Sequence, residues 1–387
     1  MATEGGTAPG HGGIPFWLDE AAPPIARQRV AVPEVEVVGG GITGLSCARA
    51  LAEAGRAVRV YEAREVGSGA SGRNGGFALR GTASPFHAAV EELGERAVHL
   101  WRLTEQTIDG MEAMGGDAVR RTGSLRLAAD AAERDELRRE HAALDARGFR
   151  AEWVDGERLG APLRGRFTGA IFHPPDASLQ PARFARRLAA LAADAGVEIR
   201  ERTRVTPCDL SADVVVVATD GYPSGLLGSL EGLIIPTRGQ MIATAPLSAR
   251  LFECPHYGRR GFDYWQQTPD GRLLAGGFRD WSLVSEFTDE EVTTPTIQRA
   301  LEDFVAELAG VRPLVTHRWA GLFGLVPDLL PVVGRVPGSD RMWVAGGFSG
   351  HGNVLGVLCG ELVAQAILGR PALELDLFEP ARLVGTS

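Results

Sequence analysis

The chain has 387 residues, 44% hydrophobic and 23% charged, which suits two domains or one large domain carrying an insertion. Its 49 acidic residues outweigh 40 basic ones for a formal charge of -9, and no basic run stands out to neutralise phosphates, so a nucleic-acid partner is excluded. Every basic residue is arginine, which removes mechanisms that need a lysine Schiff base, a P-loop lysine or an oxygen-activating lysine.

Residues 1–32 are rich in Gly, Pro and Ala and read as an irregular lead, except that the adjacent aromatics of Pro15-Phe16-Trp17-Leu18 should find a surface to cover. Residues 35–38 then read as a strand, Gly39 to Gly44 as a tight turn, 44–54 as a helix capped by Gly55, and 58–61 as a second strand ending at Glu62. This strand–turn–helix–strand unit is the signature of a parallel dinucleotide-binding sheet. Glu36 is out of place in it, because buried parallel strands are normally apolar throughout.

A second glycine-rich loop spans Gly67 to Gly76, followed by helical tendency over 85–115. Residues 131–146, charged and free of proline and glycine, read as an exposed helix whose charges mark a solvated face. Helix is expected again over 181–195, then a strand at 197–199 and a doubly buried β-branched strand at 214–218. From 234 to 277 short β-like runs alternate with turn signals such as Pro269-Asp270-Gly271, which predicts an antiparallel sheet. A helix over 296–308, a strand at 342–345, the glycine string 346–352 and a helix over 354–368 complete the chain.

The four cysteines, Cys47, Cys208, Cys254 and Cys359, show neither C-x-x-C pairing nor metal spacing, so reduced thiols and no metal centre are expected. No apolar stretch reaches the ~18 residues of a membrane span, and no basic segment followed by an apolar core opens the chain. A cytoplasmic enzyme with no membrane partner is the expectation.

The string Gly39-x-Gly41-x-x-Gly44 is weak alone but sits between a strand and a helix, where glycines let backbone approach a pyrophosphate favoured by the helix N-terminus. Glu62 can accept both ribose hydroxyls of an adenosine, and its charge disfavours the 2′-phosphate of NADP. An NAD enzyme has no evident need for the second loop, Gly67-Ser68-Gly69-Ala70-Ser71-Gly72-Arg73-Asn74-Gly75-Gly76-Phe77, which points to FAD.

With these pieces, Ser178-Leu179-Gln180-Pro181, Val215-Val216-Val217-Ala218-Thr219, Pro236-Thr237-Arg238-Gly239-Gln240, Leu330-Pro331-Val332-Val333-Gly334-Arg335 and GGFSGHGN follow in order, and the chain resembles the D-amino-acid oxidase (DAO) family of FAD-dependent oxidoreductases, in its γ-glutamylputrescine oxidase-like branch. The resemblance implies an α/β fold: a Rossmann-type, glutathione-reductase-like FAD domain from discontinuous segments (33–95, 165–232 and 319–387) plus a mainly antiparallel substrate domain (96–164 and 233–318). It further implies that Gly39, Gly41 and Gly44 hold the pyrophosphate and Glu62 the ribose. Ala63 and Arg64 flank the adenosine, and Ala70, Ser71, Arg73, Asn74, Gly75 and Gly76 run along diphosphate and flavin ring. Val205 meets adenine, and Ala218 and Thr219 close that side. Gly347, Ser349, Gly350, His351, Gly352 and Asn353 form the last loop, beside the pyrimidine edge of the flavin. Asp220 departs from the usual asparagine or glycine and is expected to point away from the diphosphate.

The implied chemistry is hydride transfer from a small amine to FAD, imine hydrolysis, and reoxidation by oxygen with hydrogen peroxide released. A dehydrogenase with another electron acceptor and a non-catalytic FAD protein stay open. FAD should be non-covalent, because no cysteine lies in 318–326 where some relatives attach it. His351 is expected to bond the ring or nearby water, with protonated His351 or Arg279 as candidate cations for the oxygen reaction. His173 and His256 read as structural. Phe323 stands where the glycine-oxidase branch places a carboxylate-binding arginine, which predicts a substrate without an α-carboxylate unless Arg238 or Arg279 substitutes. Pocket aromatics are sought among Phe262, Tyr264, Trp265, Trp281 and Phe323.

Overall fold

Residues 13–384, described here from a computed structural model, build three sheets. The first has six strands in the order Val332–Arg335, Met342–Gly346, Val214–Val217, Val35–Val38, Val58–Tyr61, Glu198–Arg200. Five run parallel and only Val332–Arg335 is antiparallel to its neighbour. Strands covered on both faces favour apolar residues throughout, and Val214–Val217 is pure valine for that reason. Helices Ile42–Glu53 and Gly352–Ile367 pack against each other at backbone range: a Cβ on Gly360 would stand 2.4 Å from the Thr43 carbonyl oxygen.

The second sheet has eight strands in the order Val315–Leu325, Ile235–Pro246, Arg272–Gly277, Asp263–Gln267, His256–Gly258, Ser124–Ala128, Gly169–His173, Glu152–Asp155. All its pairs are antiparallel except His256–Gly258 with Ser124–Ala128. A small third sheet of Phe77–Ala78, Ala177–Leu179 and Val119–Arg120 completes the set. The expected segment limits do not coincide with these layers. Gly169–His173, inside 165–232, pairs in the eight-stranded sheet, and Val315–Leu325 runs through the limit at 318/319. Helix Glu95–Gly115, which crosses the limit at 95/96, places Leu100 in the core under the parallel sheet.

Trp17 is buried and donates its indole N–H to the Asn74 carbonyl at 2.8 Å, so the lead is pinned to the second glycine loop. The helical stretch 85–115 is two helices, Phe86–Leu93 and Glu95–Gly115, separated by Gly94 at φ +59. A left-handed residue cannot continue a right-handed helix, and glycine adopts that conformation without a Cβ clash. Helix Ala131–Ala146 forms with Asp130 as its N-cap, its carboxylate accepting from the Glu133 amide. Its acidic face is only partly solvated. Glu140 is buried against Arg126 at 3.0 Å, and Glu133 accepts from the amides of Ala129 and Arg260.

The anomalous Glu36 is fully buried, and its carboxylate accepts from the Tyr61 hydroxyl at 3.0 Å and from the amides of Ser211 and Ala212 at 2.8 and 2.9 Å. Arg59 and Arg341 each stand 4.0 Å away. The charge is therefore a pin between the first strand and the segment entering Val214–Val217. Glu36→Ala leaves those donors buried without an acceptor and should lower unfolding free energy by about 3–5 kcal/mol, with Glu36→Gln losing less. Urea unfolding measures this; an unchanged midpoint for the alanine variant would show that the carboxylate does not pin the sheet.

Candidate functional site

A cleft of 520 Å³ opens at the carboxyl ends of Val35–Val38, Val58–Tyr61 and Val214–Val217 and continues under the eight-stranded sheet. Open α/β sheets bind ligands at this edge. At its floor Gly39 adopts φ +116, and a Cβ there would stand 2.4 Å from the Ala218 carbonyl oxygen. Gly41 is the N-cap of helix Ile42–Glu53, and the Ile42 amide donates to Ser71 Oγ at 3.0 Å. Glu62 is held by its own neighbourhood, accepting from the Gly40 amide at 2.8 Å and the Arg64 amide at 2.7 Å.

Every residue expected at the cofactor lines this cleft except Gly44, Gly76 and Gly347. Those three shape it from behind. A Cβ on Gly44 would stand 2.1 Å from the Gly39 carbonyl oxygen, and Gly76 turns at φ +74 with its amide on Asn74 Oδ1. Gly347 turns at φ +71 and gives its amide to Asp220 Oδ1 at 2.8 Å. Asp220 also accepts from Gly324 at 3.0 Å, so its carboxylate is turned onto backbone amides, while burial pushes its pKa up against their pull.

Two loops from opposite ends of the chain meet at a reciprocal amide pair: Asn74 Nδ2 to Asn353 Oδ1 and Asn353 Nδ2 to Asn74 Oδ1, both 3.0 Å. Asn353 also donates to the Phe77 carbonyl, and the Trp319 indole donates to the Arg73 carbonyl at 2.8 Å. These bonds fix the glycine loop against the edge strand Val315–Leu325.

The far end of the cleft is aromatic, lined by Phe77, Tyr257, Tyr264 and Phe323. Of the five aromatics sought there, Tyr264 and Phe323 line it. Trp265, one residue along the strand from Tyr264, faces the opposite side and is fully buried in the core. Trp281 is 59% exposed, and Phe262 stands behind Arg279. Burial pushes the Tyr264 phenol up to about 12 and raises that of Tyr257, so both remain protonated donors at neutral pH.

His351 lines the same end, its ring edge-on to Tyr257 with centroids 6.2 Å apart, and Nδ1 is buried with no partner among the described residues. Burial, reinforced by the charge of Arg126, lowers its pKa to about 4. The chain by itself therefore presents a neutral His351 at this end of the cleft. Arg238 is removed as a substrate ligand, because it is buried in an ion pair with Glu286 at 2.9 Å.

Sequence reasoning missed Glu291, Tyr222 and Tyr257. Glu291 lines the cleft, paired with Arg64 at 2.5 Å and Arg73 at 3.4 Å and accepting from the Tyr222 hydroxyl. No local pattern marks a lone glutamate 227 residues from the arginine it meets. Tyr257 carried a signal, the alternation predicted over 234–277, but not which face it would take.

A family model described as DAO, FAD dependent oxidoreductase, matches residues 34–366. "Probable oxidoreductase OrdL" of Haemophilus influenzae is 28% identical over 92% of this chain and 87% of its own length. The gamma-glutamylputrescine oxidoreductase of Escherichia coli is 28% identical over 87% of this chain and 84% of its own. Among solved structures, glycine oxidase from Geobacillus kaustophilus superposes with a TM-score of 0.74 at 22% identity, covering 90% of this chain and 98% of that one.

Burial also lowers His256 to about 4 and His173 well below the ordinary 6.5. Neither lines the cleft: His256 stacks on Trp265 and His173 contacts Arg80. Because the fold suppresses protonation, the stability linked to neutral His256 and His351 is complete above pH 6.5 and is lost as pH falls through about 4, and His173 acts in the same direction. Of the eight histidines, His173, His256 and His351 should therefore keep neutral-ring shifts down to about pH 5 in a 13C NMR titration. A His351 resonance titrating near 6.5 would contradict its burial.

Proposed function

The chain belongs to the DAO family of FAD-dependent oxidoreductases, and on that premise we propose that it oxidises the C–N bond of a small amine, with oxygen as the leading electron acceptor. The single observation that carries this reading is one continuous cleft, running from a glycine cradle at the ends of three parallel strands to an aromatic chamber under the antiparallel sheet. The residues fit FAD. The glycines at 39 and 41 leave room for a ligand at the first turn of helix Ile42–Glu53, Glu62 lines the cleft where its carboxylate would meet the ribose, and His351 lines the far end.

Bound FAD supplies the two-electron acceptor for the substrate's hydride. The protein binds, orients and excludes water. Arg64 and Arg73 bring positive charge to the diphosphate end, where Glu291 balances them. The phenols of Tyr257 and Tyr264 donate hydrogen bonds in a dry chamber, and neutral His351 adds no charge that would repel an amine. A low-polarity wall favours the uncharged amine, the form whose α-C–H can leave as hydride. The resulting imine takes up water to release an aldehyde or keto acid and the nitrogen product. None of the four cysteines lines the cleft, which supports non-covalent attachment.

The absence of lysine from the sequence favours one second reading: with no oxygen-activating lysine to place at the ring, electrons leave to an acceptor other than oxygen. Anaerobic titration of holoenzyme with polyamines, monoamines, N-methyl amino acids and D-amino acids separates the cases. Bleaching by an amine followed by rapid recovery in air with equimolar peroxide is the expected outcome. Recovery only with an artificial acceptor makes it a dehydrogenase, and no bleaching by any amine overturns the proposal.

Glu62→Ala should weaken FAD binding roughly 10- to 100-fold, the worth of one charge-assisted hydrogen bond of about 1.5–3 kcal/mol. Flavin fluorescence titration of apoprotein reads it. An unchanged dissociation constant would place the adenosine elsewhere.

A further inference from the structure

Glu291, which no motif marks, sits in an irregular segment, 287–294, whose two feet are gripped by one strand. Arg238 and Gln240 share a face of strand Ile235–Pro246, opposite to Gly239, which lines the cleft. Arg238 holds Glu286, just before the first foot, by two hydrogen bonds of 2.9 Å and donates to the Ser285 carbonyl at 3.0 Å. Gln240 holds the other foot, donating to Thr294 Oγ1 and accepting from the Thr294 amide, both at 2.8 Å. Arg238, Gln240 and Glu286 are buried, and releasing either foot would strand polar groups away from water. Movement is left to the span between the feet.

From that span Glu291 reaches across to the parallel-sheet side. One carboxylate oxygen meets Arg64 at 2.5 Å, and the other accepts from the Tyr222 hydroxyl and stands 3.4 Å from Arg73. Arg64 follows strand Val58–Tyr61, Tyr222 follows Val214–Val217, and Arg73 lies in the second glycine loop. One side chain thus ties three separate pieces of the cradle to the layer opposite, and all four residues line the cleft. Tyr222 is packed on the same loop, since a Cβ on Gly69 would stand 3.2 Å from its ring. Burial, reinforced by the Glu291 charge, pushes its phenol up, so it remains a donor. The Glu291 side chain is only 18% exposed, which leaves its pairs weakly screened by solvent.

We propose that Glu291 is a latch over the cofactor: FAD enters or leaves only when this carboxylate lets go of Arg64, Arg73 and Tyr222. The proposal rests on the reading that FAD fills this cleft. A ligand lying along the cleft sits behind the bridge between the two layers. Bonds between protein groups that close again behind a ligand act on its passage and not on its bound state, so they slow entry and exit alike and leave affinity nearly unchanged. A carboxylate that merely neutralised the two arginines would do the opposite, because removing it would free them for the diphosphate and tighten binding.

The test does not need turnover. Holoenzyme is mixed with excess radiolabelled FAD to read the exchange rate, and is diluted through a concentration series to read the dissociation constant from free-flavin fluorescence. Glu291→Gln keeps the shape and loses the charge; it should speed exchange at least about 10-fold while the dissociation constant moves less than about 3-fold, because uptake quickens too. Tyr222→Phe removes one bond and should give a smaller gain in the same direction, which decides the matter if the glutamine variant does not fold. Raising the ionic strength about tenfold should speed exchange more in the parent than in Glu291→Gln. Unchanged exchange, exchange that rises only in proportion to a weaker dissociation constant, or binding that becomes tighter and slower each overturns the latch. Weakened FAD binding in Glu62→Ala with exchange unmoved in Glu291→Gln would keep FAD in the cleft and sink the latch alone. Unmoved binding in Glu62→Ala would remove FAD from the cleft and the latch with it, so the two failures are told apart.

Discussion

The cleft depends on one constraint: the chain must pass backbone against backbone at the ends of the parallel strands, so the side-chain positions there stay vacant. Where Gly39 passes Ala218 and where Gly44 passes Gly39, the space for a Cβ is already filled by a carbonyl oxygen. A side chain at either position would force the first helix off its strand and move the amides of its first turn. The dipole of that turn and the N–H groups left without an intrahelical partner would favour an anion there. Glycine is thus a packing requirement first, and the anion site follows from it.

The second layer of organisation is the set of hydrogen bonds that close the cleft over long sequence distances. Asn74 and Asn353 exchange amide bonds, Asp220 gathers the amides of Gly324 and Gly347, and Trp17 and Trp319 each donate to a carbonyl in the second glycine loop. These side chains satisfy backbone groups that no ladder pairs, which a buried irregular loop requires. They also join three distant stretches of chain into one rigid wall. A flat ligand can then be gripped by loops without those loops being ordered by the ligand itself.

Charge is arranged differently at the two ends of the cleft. At the end beside the parallel strands, arginines and carboxylates are interleaved, with Arg64 and Arg73 both paired to Glu291. At the aromatic side the walls are phenols, a phenyl ring and a histidine that burial keeps neutral, with Arg279 the cation lying over Phe323. Low polarity around a guanidinium with no ion-pair partner among the described residues strengthens its attraction for an anion and its repulsion of a cation. Specificity is therefore concentrated in few groups, while the cradle supplies general binding.

The sequence by itself determined the elements whose cause is local. The all-valine strand Val214–Val217, the helix Ala131–Ala146, and the glycine strings at 39–44 and 67–76 could be read directly, because β-branching, helix propensity and the absence of a Cβ act within a few residues. The ordered motifs carried the family as well. Tertiary structure alone decided the rest. It gave Glu36 its donors 175 and 176 residues away, sent Trp265 inward and Tyr264 toward the cleft, and brought Arg279 over Phe323. It also set the protonation of His351, since a pKa is fixed by what surrounds a group and not by its neighbours in sequence. Chain pattern specifies which residues can face a cleft, but strand register and burial choose which of them do.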